Sequence, residues 1–207
     1  MLKISEIFTS IQGESTYSGL LCTFIRLSGC NLRCSYCDTE YAWQNGITID
    51  EEYIFQKITE LAIPLIEITG GEPLLQENII PFITNLLDAG YNVLIETNGS
   101  LSIKDIDPRA IVILDIKTPG SKMDDKMLFP NLEIIKENHE VKFVITDRYD
   151  YDWSKKIIED YNLFKRCKVL FSPAYNILKP FELVRWMIED KSHARLNIQL
   201  HKYINCK

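Results

Sequence analysis

The sequence predicts an α/β fold built on an open, mostly parallel sheet: a partial β/α barrel of about six strands, with a short extra strand at its N-terminus. Short β-rich runs alternate with amphipathic helical runs, the pattern of consecutive βαβ units. Those units number fewer than the eight that close a full barrel. The chain has 207 residues, 46% hydrophobic and 25% charged, with no linker-like stretch and no internal repeat. That is the length and composition of one domain with a sizeable core, covering 1–207.

Taken in order, residues 3–10 read as the extra strand, followed by a first sheet strand at 22–28. Helical periodicity at 50–61 leads to a strand at 64–69, and a helix at 76–89 leads to a strand at 91–97. Strands follow at 111–116 and 141–146. A helix at 154–161, a strand at 168–171, a helix at 179–189 and a strand at 195–200 complete the series. Strands of a parallel sheet are normally apolar on both faces. Here the polar exceptions keep a period of two: Arg26 with Ser28, Glu67 with Thr69, Asp115 with Lys117, and Lys142 with Thr146. In the last strand Arg195, Asn197, Gln199 and His201 alternate with Leu196, Ile198 and Leu200. All lie toward the C-terminal ends of their strands, where open α/β sheets and barrels bind ligands. One exposed edge strand explains any single case; five together predict a polar cavity at that mouth.

Composition excludes several classes. The net charge is −6 and no basic run is present, so nothing resembles a grip on a phosphate backbone. No stretch reaches the ~18 apolar residues of a membrane helix. Residues 1–6 lack the apolar core and cleavage site of a signal peptide. The expectation is a cytoplasmic protein that binds neither nucleic acid nor membrane, with its thiols reduced.

That sharpens the meaning of six cysteines, at 22, 30, 34, 37, 167 and 206. Three fall in Cys30-Asn31-Leu32-Arg33-Cys34-Ser35-Tyr36-Cys37, directly after the first sheet strand. CxxxCxxC sets three thiolates on a loop short enough to converge on one centre. Structural zinc takes four ligands, and His139, His193 and His201 are all remote in sequence. A 4Fe–4S cluster held by three cysteines leaves one iron open to a bidentate ligand.

This loop resembles the signature of the radical S-adenosylmethionine (SAM) superfamily, including the aromatic Tyr36 before the last cysteine. A second likeness is Gly70-Gly71-Glu72-Pro73 at the end of the next strand. Five further stretches resemble the 7-carboxy-7-deazaguanine synthase family. They are Ser10-Ile11-Gln12-Gly13-Glu14, Phe24-Ile25-Arg26-Leu27-Ser28-Gly29-Cys30, Cys37-Asp38-Thr39, Glu96-Thr97-Asn98-Gly99 and the C-terminal run from Gln199 to Lys207. The likeness spans the chain from residue 10 to its last residue.

The resemblance implies a radical SAM partial barrel over 21–200, a substrate-binding leader at 1–20 and a tail at 201–207 that closes the site. It implies a lyase that reductively cleaves SAM and uses the resulting radical to contract the ring of 6-carboxy-5,6,7,8-tetrahydropterin. The products are 7-carboxy-7-deazaguanine and ammonia, in queuosine and related deazapurine biosynthesis. Cys30, Cys34 and Cys37 would hold the 4Fe–4S cluster, and Thr39 would contact Mg²⁺. Tyr36, Cys37, Asp38, Gly71, Asp115, Ile116, Lys117 and Ser172 would face SAM. Ile11, Gln12, Gly13, Arg26, Thr69 and Lys207 would face the substrate. A planar guanidinium suits bidentate carboxylate binding, so Arg26 is the residue for the substrate carboxylate; its alternative is an ion pair with Glu67 or Glu96. Thr39 has the alternative of a helix N-cap. The implied partners are a flavodoxin or ferredoxin as electron donor and a second copy of the chain in a homodimer. Two rival readings share parts of the pattern: a glycyl-radical enzyme activase, and a non-enzymatic zinc-binding module.

Overall fold

The structure is a computed structural model that describes residues 1–207. Strand β1 (Leu2–Ile11) runs antiparallel to β2 (Leu21–Leu27), and β3 (Ile47–Ile49) pairs with the other edge of β1. Helix α1 (Glu51–Leu61) crosses to β4 (Leu65–Gly70), and α2 (Ile79–Asp88) to β5 (Asn92–Thr97). Strands β6 (Ile111–Ile116) and β7 (Glu140–Ile145) are joined by short 3₁₀ turns. Helix α3 (Arg148–Asp160), β8 (Lys168–Pro173), α4 (Pro180–Glu189), β9 (Arg195–Leu196) and the short α5 (Leu200–Tyr203) follow. One sheet contains all nine strands, in the order β3-β1-β2-β4-β5-β6-β7-β8-β9. From β2 to β9 every pairing is parallel. The two end strands do not pair, so the sheet is an open, partial barrel.

Period-two alternation decides where each side chain goes. One face carries Ile25, Leu27, Ile66, Ile68, Val93, Ile95, Val112, Leu114, Ile116, Val141, Phe143, Ile145 and Phe171, all buried in the main core. Helical residues Ile54, Ile58, Phe82, Ile83, Leu86, Ile158 and Leu183 cover that face. The opposite face changes character along its length. Toward the N-terminal ends of the strands it is apolar: Cys22, Phe24, Leu65, Leu94 and Ile113 form a second, small cluster. Toward the C-terminal ends the same face presents Arg26, Glu67, Thr69, Glu96, Asp115, Lys117, Lys142 and Ser172. The small apolar cluster is thus the floor of a polar cavity.

Several boundaries differ from the sequence reading for identifiable reasons. Helix α3 starts at Arg148, six residues before the predicted 154, because the Asp147 carboxylate accepts from the Asp150 amide at 2.9 Å and caps it. Helix α2 starts at Ile79, since Pro73–Leu75 forms a separate 3₁₀ turn. The three-residue β3 carried too little pattern to be read. The predicted strand at 195–200 is pairable only over Arg195–Leu196, and Leu200–Tyr203 is helical. The polar alternation there is therefore only partly a sheet face: Gln199 and His201 line the cavity, whereas Arg195 is exposed. Ser28 and Thr146 also depart. Ser28 is buried beside Gly46, and the Thr146 hydroxyl donates to Asp150 at 2.6 Å just past the end of β7.

Ile68 is fully buried on the helix-covered face, next to residues that line the cavity. Ile68→Ala is expected to lower unfolding free energy by about 2–5 kcal/mol in a denaturant melt. The neighbouring Thr69→Ala should cost less than half as much, because its side chain faces the cavity.

Candidate active site

A cavity of about 460 Å³ opens at the C-terminal ends of the parallel strands, within the usual range for small-molecule sites. The three-cysteine loop forms one wall, and residues 11–14 with 199–207 close the other side. Cys30, Cys34 and Cys37 all line it. None of the three is in a disulfide.

The loop is held by its own residues. Leu32 is buried in the main core. The Arg33 guanidinium donates to the Cys30 and Leu32 carbonyls at 2.9 and 2.7 Å and lies 4.5 Å from the Trp43 ring centroid. On the far side Ser35 donates through its amide to the Ser121 carbonyl (3.0 Å) and through its hydroxyl to Gly120 (2.6 Å). Burial pushes the Cys30 and Cys34 thiols above their usual pKa, while the Lys117 ammonium pulls the other way. A thiol must ionise to bind metal, and that nearby cation favours ionisation. Three soft donors on one loop, with a cation near them, fit a three-cysteine iron–sulfur site. The other cysteines stay apart: Cys22 is buried in the floor cluster, and neither Cys167 nor Cys206 lines the cavity.

Gly70-Gly71-Glu72 seats this loop. A Cβ on Gly71 would stand 2.1 Å from the Gly29 carbonyl oxygen, and one on Gly70 (φ +139°) would stand 2.2 Å from that of Leu27. The glycines allow close approach of two protein loops. The Gly71 and Glu72 amides donate to Leu27 and Gly29 at 3.2 and 2.7 Å. The Glu72 carboxylate, fully buried, accepts from the Thr97 hydroxyl (2.7 Å) and the Leu74 and Asn98 amides (3.0 and 2.7 Å). Asn98 in turn places its side-chain amide 4.0 Å from the Cys30 sulfur.

Most of the predicted residues meet here. Tyr36, Asp38, Thr39, Gly71, Asp115, Lys117 and Ser172 line the cavity, as do Ile11, Gln12, Gly13, Arg26, Thr69 and Lys207. Ile116 does not: alternation turns its side chain into the main core, between the inward Asp115 and Lys117. Ile116 could therefore meet SAM only through its backbone, between two residues that line the cavity. Thr39 precedes a 3₁₀ turn without capping it, and its hydroxyl donates to Asp38 at 2.9 Å. Arg26 pairs with neither Glu67 nor Glu96. Its Nε donates to Glu6 on the adjacent strand at 2.8 Å, leaving both terminal nitrogens without a protein acceptor. Glu6 also accepts from the Tyr41 hydroxyl (2.8 Å) and pairs with Lys207, whose ammonium lies 4.6 Å from the Phe8 ring centroid.

The sequence reading assigned no ligand role to Glu14, Glu96 or Lys142, which form a charge cluster with Asp115 and Lys117 in the cavity. Lys142 pairs with Glu14 (3.0 Å), with Glu96 and with Asp115 (3.3 Å), and Asp115 also pairs with Lys117 (2.9 Å). Burial opposes the charge on Lys142, yet the three carboxylates hold its pKa well above the ordinary value. Burial likewise opposes ionisation of Glu14, and the Lys142 ammonium outweighs it. The signal was visible as lone charges in apolar strands that shared a cavity; their pairing was not.

Comparison with known proteins follows this geometry. The family described as the radical SAM superfamily matches residues 24–162. A 7-carboxy-7-deazaguanine synthase of Koribacter versatilis is 39% identical, with 98% of this chain and 96% of that protein covered. One from Chlorobaculum tepidum is also 39% identical, over 98% and 94%. The chain belongs to the 7-carboxy-7-deazaguanine synthase family of the radical SAM superfamily. It is therefore an enzyme that works with a 4Fe–4S cluster, SAM and Mg²⁺, and the zinc-module and activase readings fall away. A crystal structure of QueE from Escherichia coli shares the fold, with TM-score 0.79, 22% identity, and 97% and 94% of the two chains covered.

Removing Lys142 should expose the cost of its carboxylates. Lys142→Met is expected to lose about 3–5 kcal/mol at pH 7, as an uncompensated buried charge does. Glu14 has a depressed folded pKa, so its stabilising pairing is present above the unfolded carboxylate pKa and fades as pH falls through the folded value. Denaturant melts of wild type and variant should therefore converge in acid.

Proposed function

We propose that this cavity binds 6-carboxy-5,6,7,8-tetrahydropterin and converts it to 7-carboxy-7-deazaguanine with loss of ammonia, a step toward queuosine and other 7-deazapurines. The observation that carries this reading is the position of Arg26. Its guanidinium is fixed through Nε alone, and its free terminal fork lines the same cavity as the three-cysteine loop. A planar fork is the shape that takes a carboxylate bidentately. Curated relatives named for this synthase activity, similar over nearly the whole chain, support the same reading.

In this proposal Cys30, Cys34 and Cys37 would hold the cluster, which together with SAM would supply the radical chemistry. Tyr36, Asp38, Gly71, Asp115, Lys117 and Ser172 line the SAM side. The Arg26 fork takes the substrate carboxylate, Thr69 contacts the substrate nearby, and the Thr39 hydroxyl faces Mg²⁺. Gln12 and Gly13 shape the leader against the ring: the Gln12 side chain accepts from the Glu14 amide (2.8 Å), and the Gly13 carbonyl accepts from Leu200 (2.8 Å). The leader (1–20) and tail (201–207) then act as the two closing pieces over the sheet (21–200). Lys207 serves by pairing with Glu6, which in turn holds Arg26. A flavodoxin or ferredoxin as electron source, a homodimeric state and a cytoplasmic setting belong to the same proposal.

The test is anaerobic reconstitution with iron and sulfide, then incubation with SAM, Mg²⁺, dithionite and the pterin, with products read by mass spectrometry. 7-Carboxy-7-deazaguanine together with 5′-deoxyadenosine supports the proposal; 5′-deoxyadenosine alone overturns the substrate. Arg26→Ala should raise KM for the pterin by roughly 10- to 100-fold, the worth of a charge-assisted hydrogen-bonded pair. Its substrate-independent formation of 5′-deoxyadenosine should stay near the wild-type rate.

A further inference from the structure

Every buried carboxylate of the cavity has at least one engaged oxygen except Glu67, although Asp115 Oδ1 is also unpaired. Glu14, Glu96 and Asp115 share Lys142, and Glu72 takes three hydrogen bonds. Glu67 is only 3% exposed, lines the cavity on β4, and its Oε2 has no hydrogen-bond partner. A buried polar atom left unpaired costs about 1–3 kcal/mol, so it needs an explanation. No protein group near it supplies one. On β2, the Arg26 Nε is engaged by Glu6 and the Cys22 thiol donates to the Thr23 carbonyl at 3.7 Å. On β7, Lys142 is taken by three other carboxylates, while Glu96 on β5 and Glu14 in the leader are themselves acids.

We propose that Glu67 is a further substrate-contacting residue, reading the nitrogen-rich ring of the substrate through its otherwise unpartnered carboxyl group. This rests on the pterin reading of the cavity given above. The form of the carboxyl follows from its surroundings. Burial first, then the charges of Glu96 and Glu14, raise its pKa well above the usual carboxylate range despite Lys142 and Arg26. These surroundings favour the neutral carboxyl, which offers one O–H donor and acceptor lone pairs on a planar group. A fused pyrimidinone presents the complement along its edge: a ring N–H beside a carbonyl, or an amino group beside a ring nitrogen. Placement agrees with such a role. Glu67 stands on the inner face two residues before Thr69 and opposite Phe24 across the β2–β4 pairing, where the apolar floor meets the polar wall. A flat ring on that floor would place its polar edge at Glu67. A ligand without that edge would leave the acid unpaired, and sites of this kind discriminate strongly.

The experiment compares reconstituted wild type, Glu67→Gln and Glu67→Leu. Anaerobic calorimetric titration with 6-carboxytetrahydropterin measures affinity, and thermal melts without the pterin measure stability. Glu67→Gln retains a planar donor and acceptor and should bind within about threefold of wild type. Glu67→Leu should bind roughly tenfold or more weakly, with iron content and SAM affinity unchanged. Without the pterin it should melt no lower than wild type, because leucine removes the orphaned acid. Wild-type affinity in Glu67→Leu would overturn the proposal, as would a lower melting temperature matching its loss of affinity, which marks a structural role. Affinity in Glu67→Gln as weak as in Glu67→Leu would overturn the neutral-acid contact in favour of an ionised one. If wild type itself does not bind the pterin, the substrate assignment fails, and the Glu67 contact with it; failure confined to the variants leaves the substrate assignment standing.

Discussion

The cavity on the inner face of the sheet largely shields its charges from water, so charge buried there must be neutralised by neighbouring side chains. Lys142 does this here. Its ammonium sits among carboxylates contributed by β5, β6 and the leader, and each of those acids would otherwise be a buried anion costing several kcal/mol. The pairing also acts at a distance in sequence. Glu14 lies 128 residues from Lys142, and through it the leader is fastened across the mouth of the sheet. Asn197 and Gln199 donate to the same Glu14 carboxylate at 3.3 and 2.9 Å, so the approach to the C-terminal tail is fixed by one acid. The interior charge cluster is thus also the clasp that closes the site.

The loops at the strand ends obey a different constraint, close approach of backbone to backbone. Glycines at 70 and 71 let the end of β4 lie against the entry to the cysteine loop at distances no Cβ permits. Glu72 then binds that junction to the end of β5 through Thr97 and Asn98. Three consecutive strand ends become one rigid edge with the cysteines mounted on it. Rigid first contacts supported by a packed surrounding are what precise positioning of reactive groups requires.

Much of this was legible in the sequence, and the boundary of legibility has a physical cause. Alternation is local, so the inward positions of Arg26, Glu67, Thr69, Asp115, Lys117 and Lys142 could be read from neighbours two residues away, as could the cavity they imply. The same alternation turns the Ile116 side chain into the core, which leaves only its backbone to meet a ligand between Asp115 and Lys117. Pairing is not local. Arg26 could be seen to need a partner, but that partner is Glu6, set opposite it by the register of β1 against β2, and no spacing rule reports an antiparallel register across a nine-residue loop. The last strand failed for a related reason: polar alternation at 195–201 describes side-chain facing equally in a strand and in a strand followed by one helical turn.

The two chain ends converge on the same carboxylate network from opposite directions, and this has a consequence for how the site works. Glu6 receives Arg26 and Tyr41 from within the fold and Lys207 from the tail. Asp38, just after the last cysteine, receives Gln199 at 3.2 Å and also Lys202. Both tail contacts are ion pairs near the surface, individually weak and screened by salt. The leader's tie through Glu14 is buried and strong. The two sides of the enclosure are therefore held unequally, one by a buried charge cluster and the other by pairs near the surface. A polar heterocycle entering this cavity would meet a fixed wall on the leader side, which can align it, and a weaker, salt-sensitive wall at the tail.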